Sequence, residues 1–318
     1  MRLPSQVKAA ATLLMFTSGL FGADTPATNL PPADLVRKAV QHELQQNAKS
    51  TARFQFKDQH TTQHVSQVKL MVETREATAG LVIAQNGAAL NPEQKRAETA
   101  RLQNYVTHPD ELNRKRRQER EDAERTTKII RAMPEAFLYE ANGTQQGTTT
   151  VGREGHELVR LKFHPNPDYN PPSHVEQVLT GMQGMLLIDA NENRIAEIDG
   201  TLQKQVGFGW GIFGHLDRGG RFLVQQADVG NGHWEVTRME LLFTGKILLF
   251  KSLNIRSTDI FSDFRQVSSN LTFAQGVELL KKEAAGNQDQ QQSQSSEKPG
   301  QKVQDPGKDL DHQLCCQH

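Results

Sequence analysis

The fold is decided by the stretch Phe222 to Ile255, which reads FLVQQADVGNGHWEVTRMELLFTGKILLFKSLNI. It contains apolar runs separated by two turn signals, Gly230–Asn231–Gly232 and Thr244–Gly245–Lys246. Runs of β-branched and aromatic residues joined by short Gly-containing connections predict antiparallel hairpins. We therefore expect consecutive antiparallel strands at Phe222 to Val229, Trp234 to Phe243 and Ile247 to Ile255.

The same pattern extends along the chain in both directions. Asn86–Gly87 is a strong hairpin signal, and Phe261 to Val267 is predicted to be the last strand. Before the first strand, Val36, Val40 and Leu44 recur every four residues and predict a short amphipathic helix. Further strands are expected around Phe54 and Phe56 and at Val65 to Thr74, Leu81 to Ile83, Ala136 to Glu140, Leu158 to Phe163, Met185 to Asp189 and Arg194 to Val206.

A polar, charged region from Asn91 to Met133 separates the first strands from the rest. Asn91 suits a helix N-cap and Pro92 the first helical position, while Thr107 to Pro109 predicts a break into two helices. Bases such as Arg114 to Arg117 alternate with nearly as many acids, which is typical of a solvated helix face. A contact with anionic lipid headgroups is the alternative. Ser173 and Glu176 form an S-x-x-E capping box that predicts a short helix ending near Gly181.

The N-terminus has the layout of a cleavable export signal over residues 1–23. Arg2 and Lys8 precede the apolar centre Ala9 to Phe16, and small residues lead up to Ala23. The apolar run is shorter than the roughly 20 residues that span a bilayer, which favours cleavage over the alternative of a membrane anchor. The mature protein is therefore expected in the periplasm or outside the cell.

The rest of the composition limits the class of protein. The formal net charge is +0, so the chain as a whole is not expected to bind nucleic acid. The two cysteines, Cys315 and Cys316, are adjacent, so they cannot stabilise a core by a disulfide cross-link. They lie in a Gln- and Ser-rich tail that we expect to be disordered from Ala284 to His318. Residues 24–283 then form one domain, with residues 91–133 as a charged helical insertion.

One glycine motif needs to be distinguished from a nucleotide site. Gly209, Gly211 and Gly214 spell G-x-G-x-x-G, but a strand rather than a helix is expected after them. We interpret the segment as a glycine-rich connection between strands. Its large apolar residues are candidates for a membrane-contact or gate loop, with packing into the end of the barrel as the alternative: Phe208, Trp210, Ile212 and Phe213.

The sequence contains no other strong catalytic or metal-binding motif. No Gly-x-Ser-x-Gly elbow occurs, and no cysteine is placed for nucleophilic catalysis. His60 and His64 have i, i+4 spacing but lack the Glu of a zinc motif. We predict no catalytic residues, no metal site and no cofactor.

The order of elements from Asp34 to Val267 resembles the periplasmic lipoprotein carrier and receptor superfamily (LolA/LolB-like), in particular a branch of uncharacterised exported bacterial proteins. The resemblance rests on the first helix, on FHPNPDYNPP at Phe163 to Pro172, on GMLLIDANENRIAEI at Gly184 to Ile198 and on WEVTRMELLF at Trp234 to Phe243. It implies an α+β fold in which a curved antiparallel sheet forms an incomplete β-barrel, with helices covering its concave face. The charged helical region is longer than the resemblance implies, and no functional residue is carried over from the family.

An apolar cavity is also expected from the residues themselves. Both faces of the strands around Leu241 to Phe243 are apolar, and the second face needs a helix, a partner or a lipid to cover it. The leading hypothesis is a non-enzymatic binder or carrier of lipid or of an acylated, lipoprotein-like ligand. An envelope sensor or scaffold that binds a protein partner is the alternative, and a hydrolase is a third possibility. The candidate lining residues are Leu186, Ile188, Phe222, Val224, Met239, Leu241, Leu249 and Phe250.

Overall fold

A computed structural model describes residues 30–208, 214–247 and 251–296 of the chain. Its helices are α1 (Pro32–Lys49), α2 (Pro92–Thr107), α3 (Pro109–Ala136) and α4 (Phe273–Ser296), with a short 3-10 helix at Glu176–Gly181. Its strands are β1 (Arg53–Thr62), β2 (Ser66–Val72), β3 (Ala79–Gln85), β4 (Ala88–Ala89), β5 (Phe137–Gln146), β6 (Glu157–Pro165), β7 (Met182–Asp189), β8 (Arg194–Leu202), β9 (Val206–Phe208), β10 (Gly214–Leu216), β11 (Arg221–Asp228), β12 (Trp234–Ile247) and β13 (Lys251–Val267).

The strands form one large antiparallel sheet. Its order is β4-β3-β2-β1-β13-β12-β11-β8-β7-β6-β5, with β9 and β10 attached beside β12. The first and last strands of this path do not pair with each other, so the sheet is open. The predicted α+β class with an incomplete barrel is confirmed. Asn86 and Gly87 both have positive φ, as the predicted tight turn between β3 and β4 requires.

The turn predicted at Thr244–Gly245–Lys246 was wrong. These residues continue β12, where Gly245 pairs with Leu253 and Lys246 with Ser252 of β13. The glycine at position 245 allows β10 to lie close to β12. Any other residue there would place its Cβ 2.0 Å from the carbonyl oxygen of His215 on β10. Of the strand predicted at Ile247 to Ile255, Ile247 ends β12, residues 248–250 lie outside the described residues, and residues 251–255 begin β13. The strand predicted at Phe261 to Val267 is the end of the same long strand β13.

Two other boundaries differ from the prediction. The strand predicted over Arg194 to Val206 is divided into β8 and β9, because the chain turns after Leu202. Ser173 does not cap the short helix, whose first residue is Glu176. Its hydroxyl instead donates a hydrogen bond to the Glu176 carboxylate.

The helices cover two separate cores. In the larger core, α1 and the end of α3 pack on strands β5 to β8, with Val36 and Leu186 fully buried. In the smaller core, α4 packs on β2 and β3, with Leu280 and Leu70 at its centre. Residues paired across neighbouring strands share a face of the sheet. Starting at Leu186 on β7, successive pairs through β8, β11, β12, β13 and β1 lead to Gln67 on β2. By this register Leu70 points to the opposite face from Leu186.

The charged region forms the two predicted helices. Asn91 caps α2 through a capping box, accepting a 2.9 Å hydrogen bond from the backbone of Gln94 and donating its own N–H to that side chain. The middle of α3 is a solvated face, in which Lys115 and Glu119 form one of several i,i+3 and i,i+4 ion pairs. The predicted pairing of opposite charges three and four residues apart is confirmed, while the alternative of a lipid-headgroup contact stays a prediction.

Helix α3 joins the two cores. Leu112 near its beginning packs on the smaller core, and Met133 near its end is buried in the larger one. At 28 residues it is roughly 42 Å long, enough to reach both.

Helix α4 continues past the predicted start of the tail. It runs to Ser296, and Ala284 packs against the smaller core, so the boundary predicted at Ala284 falls inside a helix. Residues 297–318, like the predicted signal at residues 1–23, lie outside the described residues. In the part of the chain that the structure describes, no helix is long and apolar enough to cross a membrane.

Candidate functional site

A cavity of about 360 Å³ lies between the helices and the sheet at one end of the larger core. Helix α1 and the last turns of α3 form one wall, and strands β8, β11 and β12 form the other. This volume lies within the roughly 300–1,000 Å³ that is typical of small-molecule sites. The side chains that line it are Glu43, Gln46, Asn47, Ser50, Thr126, Ile129, Ile130, Arg194, Ile195, Ile198, Phe222, Val224, Gln226, His233, Trp234, Glu235 and Val236, together with Gly232.

One half of the cavity is apolar. Ile129 and Ile130 come from α3, where their neighbour Met133 anchors the helix in the core. On the sheet side, Val224 pairs with Ile198, and Phe222, two residues before Val224 on β11, lies on the same face. Phe222 lies against Gly200, where a Cβ would come within 2.4 Å of its ring. These residues present a continuous hydrocarbon surface from both walls.

The other half of the cavity contains a buried ion pair between α1 and β8. Arg194 Nε lies 2.9 Å from Glu43 Oε1, and both side chains are less than a tenth exposed. Glu43 also accepts a 3.1 Å hydrogen bond from the backbone N–H of Ile195. Burial raises the pKa of Glu43, and the charge of Arg194 opposes that shift.

Trp234 lies next to this pair. The guanidinium carbon of Arg194 is 5.4 Å from the centroid of the Trp234 ring, within cation–π range. Trp234 is 7% exposed, and its indole Nε1 has no hydrogen-bond acceptor among the described residues. The neighbouring His233 packs edge-on against Phe54, with 5.4 Å between ring centroids. The contacts Arg194–Trp234 and His233–Phe54 thus hold the aromatic residues of the polar end from two sides.

Glu235 is the second carboxyl group of this polar end. Burial, followed by the charge of Glu73, raises the pKa of Glu235 to about 7, while Arg194 opposes the shift. A group with this pKa is partly protonated near neutral pH. The polar end therefore combines one guanidinium with two carboxyl groups, one of which titrates near neutrality.

The structure places the predicted lining residues in different positions. Phe222 and Val224 line the cavity. Leu186 and Ile188 are fully buried in the larger core, on β7 beside the lining residues Ile198 and Ile195 with which they pair. Met239 lies farther along β12 opposite Asp259, and Leu241 opposite Ser257. Neither of the last two belongs to the described lining of this cavity, so their ligand role remains a prediction.

Several predicted residues fall outside the description. Leu249 and Phe250 lie outside the described residues, as do Trp210, Ile212 and Phe213 of the predicted gate loop. Phe208 ends strand β9 and pairs with Gly214, which begins β10, so the glycine motif connects two paired strands as interpreted. No cluster of three or more potential metal ligands occurs among the described residues. His60 instead pairs with Asp259 at 2.5 Å.

The polar end was missed from the sequence. Glu43 lies on an exposed-looking helix pattern, and nothing local indicates that it meets Arg194, 151 positions later. The sequence partly indicated the apolar wall that α3 contributes, because Ile130 and Met133 recur at helical spacing.

Comparison with known proteins gives one distant structural match. No family model matches the chain, and no curated protein matches it. A crystal structure of a DUF1329 family protein from Desulfovibrio piger ATCC 29098 is similar at 10% sequence identity and a TM-score of 0.25. The match covers 74% of this chain and 92% of that one.

Proposed function

We propose that this protein is an exported, non-enzymatic binder or carrier of an acyl-chain ligand, held in the cavity between α1, α3 and the sheet. The observation that supports the proposal is the division of this cavity into an apolar half and a polar end. An amphiphile with one hydrocarbon chain and a small head has the same division. A role in carrying lipids or acylated proteins, as the resemblance of the sequence to the lipoprotein carriers implies, belongs to this proposal.

Burial of the chain would supply the affinity. Each methylene moved from water to an apolar surface contributes roughly 0.8 kcal/mol. Ile129, Ile130, Ile198, Phe222 and Val224 supply such a surface on both walls. Leu186 and Ile188 belong to the same core and pair with the lining residues Ile198 and Ile195.

Binding of dansyl-labelled undecanoic acid, followed by fluorescence, tests the proposal. Val224→Phe fills part of the cavity with hydrocarbon and should weaken binding of the probe at least tenfold while the fold is kept. Leu242→Phe is the matched control, because Leu242 lies on the other face of the same sheet and is 38% exposed. Circular dichroism should show the same sheet content in both variants and in the parent.

The outcomes separate clearly. Selective loss in Val224→Phe supports the acyl site. Equal binding by the parent and both folded variants would place the probe elsewhere, and absence of binding by the parent would contradict the proposal.

A further inference from the structure

One end of the ribbon formed by β12 and β13 extends past the strands on either side. The pairing of β11 with β12 ends at Arg221 and Leu242, and the pairing of β1 with β13 ends at Thr62 and Ser257. Beyond these pairs β12 and β13 continue together, and β10 and then β9 are added along β12. The name strand-end lobe is used for residues 203–208, 214–220, 242–247 and 251–256.

The strand-end lobe is basic, although the whole chain is neutral. The chain has 37 bases and 37 acids, whereas the lobe has five bases and one acid, which gives the lobe a formal charge of +4. The acid, Asp217, is paired with His215 at 3.3 Å. A concentration of one charge at one end of a neutral protein creates a local field that attracts anions. The five bases are Lys204, Arg218, Lys246, Lys251 and Arg256.

These five cations are not engaged in ion pairs. All five are exposed, and no carboxylate lies within ion-pair distance of them in the part of the chain that the structure describes. The adjoining part of the sheet differs, because Asp199 holds Arg221 at 2.8 Å and Glu240 pairs with Arg238. The cations of the lobe are therefore available to an anionic partner outside the chain.

Two exposed aliphatic side chains accompany the cations. Leu242 is 38% exposed and Ile255 is 36% exposed. Leu242 pairs with Arg256 across the ribbon, and Ile255 precedes Arg256 on β13. This combination is typical of a surface that binds an anionic bilayer, because the cations meet phosphate headgroups while the aliphatic groups enter the interface. A nucleic acid would engage the cations alone.

We propose that the strand-end lobe binds the surface of a bilayer that contains anionic lipids, with Lys246, Lys251 and Arg256 among the phosphate headgroups. The attraction is strongest at low salt, because dissolved ions screen exposed charges. This inference goes beyond the proposed function and does not depend on it, since no residue of the lobe belongs to the described lining of the cavity.

Vesicle flotation of the full-length protein tests the inference. One set of vesicles contains phosphatidylcholine alone, and the other contains phosphatidylcholine and phosphatidylglycerol in equal parts. The parent should prefer the anionic vesicles, and its binding should weaken as salt is added. The variant Lys246→Gln/Lys251→Gln/Arg256→Gln should lose about tenfold or more in affinity for the anionic vesicles.

The matched control removes the same charge from helix α3. Arg116→Gln/Arg117→Gln/Lys128→Gln changes three exposed cations that have no ion-pair partner among the described residues, and it should bind the anionic vesicles as the parent does. Circular dichroism should show the same sheet content in all three proteins. If the triple variant of the lobe does not fold, Lys246→Glu replaces it and should weaken binding severalfold.

Three results would overturn the inference. They are equal or absent binding of the parent to the two kinds of vesicle, an equal loss in the lobe variant and the α3 variant, and binding of the parent to double-stranded DNA but not to vesicles. The acyl site is judged separately, because the lobe variant should bind the dansyl-labelled probe as the parent does. Failure of either proposal therefore leaves the other standing.

Discussion

Glu43 and Arg194 join helix α1 to strand β8 through a buried ion pair, with 2.9 Å between Oε1 and Nε. The same carboxylate accepts the backbone N–H of Ile195, so one side chain of α1 holds two consecutive residues of the sheet. This contact fixes the position of α1 over the sheet. It thereby sets the width of the cavity at its polar end.

Removing one partner of this pair should strongly destabilise the protein. Arg194→Met leaves the Glu43 carboxylate buried without its counter-charge, and we expect a loss of about 3–5 kcal/mol in the free energy of unfolding. Urea denaturation measures the change. The double variant with Glu43→Leu should recover much of the loss, since no buried charge remains.

A surface ion pair provides the control for that experiment. Asp122 and Arg125 are 2.5 Å apart on α3, but both are more than half exposed. Asp122→Asn should change stability by less than about 1 kcal/mol. If Arg194→Met were as mild as this control, the buried pair would not hold α1 to the sheet.

Glu235 should make stability depend on pH between about 4.5 and 7. Its pKa is raised to about 7 from an ordinary value of 4.5, so the folded state binds the proton more tightly than the unfolded chain. The resulting stabilisation is complete below about pH 4.5 and is lost as the pH rises through about 7. The slope is at most roughly 1.4 kcal/mol per pH unit.

Comparison with Glu235→Gln isolates this effect. Urea denaturation of both proteins at several values between about pH 4.5 and 8 should show the parent losing stability relative to the variant as the pH rises. Glu43 and Glu73, whose pKa values are also raised by burial, are present in both proteins and largely cancel. Parallel pH profiles would contradict the expectation.

Helix α4 should contribute to the folded domain rather than to a detached tail. Leu280 is fully buried against β2 and β3, so Leu280→Ala should lower the free energy of unfolding by about 2–5 kcal/mol. Leu242→Ala, at a 38% exposed position, should change it by about 0.5 kcal/mol or less. Similar effects of the two changes in denaturation experiments would place α4 outside the cooperative unit.

Local patterns predicted the elements of the fold better than their ends. Period-two runs and glycine-containing turns located most strands, and Asn91 marked the start of α2. The turn signal at Thr244–Gly245–Lys246 failed because Gly245 is needed for close approach to His215, a contact between distant segments. The start of the tail was misplaced for a similar reason, since Ala284 follows Leu280 on a helix that is stabilised by packing.

The site was predictable only in its apolar half. Phe222 and Val224 could be identified from strand alternation, although their inward face became clear only from the pairing of β11 with β8 and β12. The polar end depends on Glu43, Arg194 and Trp234 meeting across three elements of the chain. No local sequence pattern indicates that these three residues are in contact, because tertiary packing brings them together.

The most direct test of an acyl site between α1, α3 and the sheet is photo-crosslinking with a fatty acyl ester that carries a diazirine at the end of its chain. After irradiation, peptide mass spectrometry locates the modified residues. The account predicts labels on Ile129, Ile130, Ile198, Phe222 or Val224, which an excess of unlabelled methyl decanoate suppresses. Labels confined to exposed apolar positions such as Leu138 and Leu242, or labels that the competitor does not suppress, would contradict it.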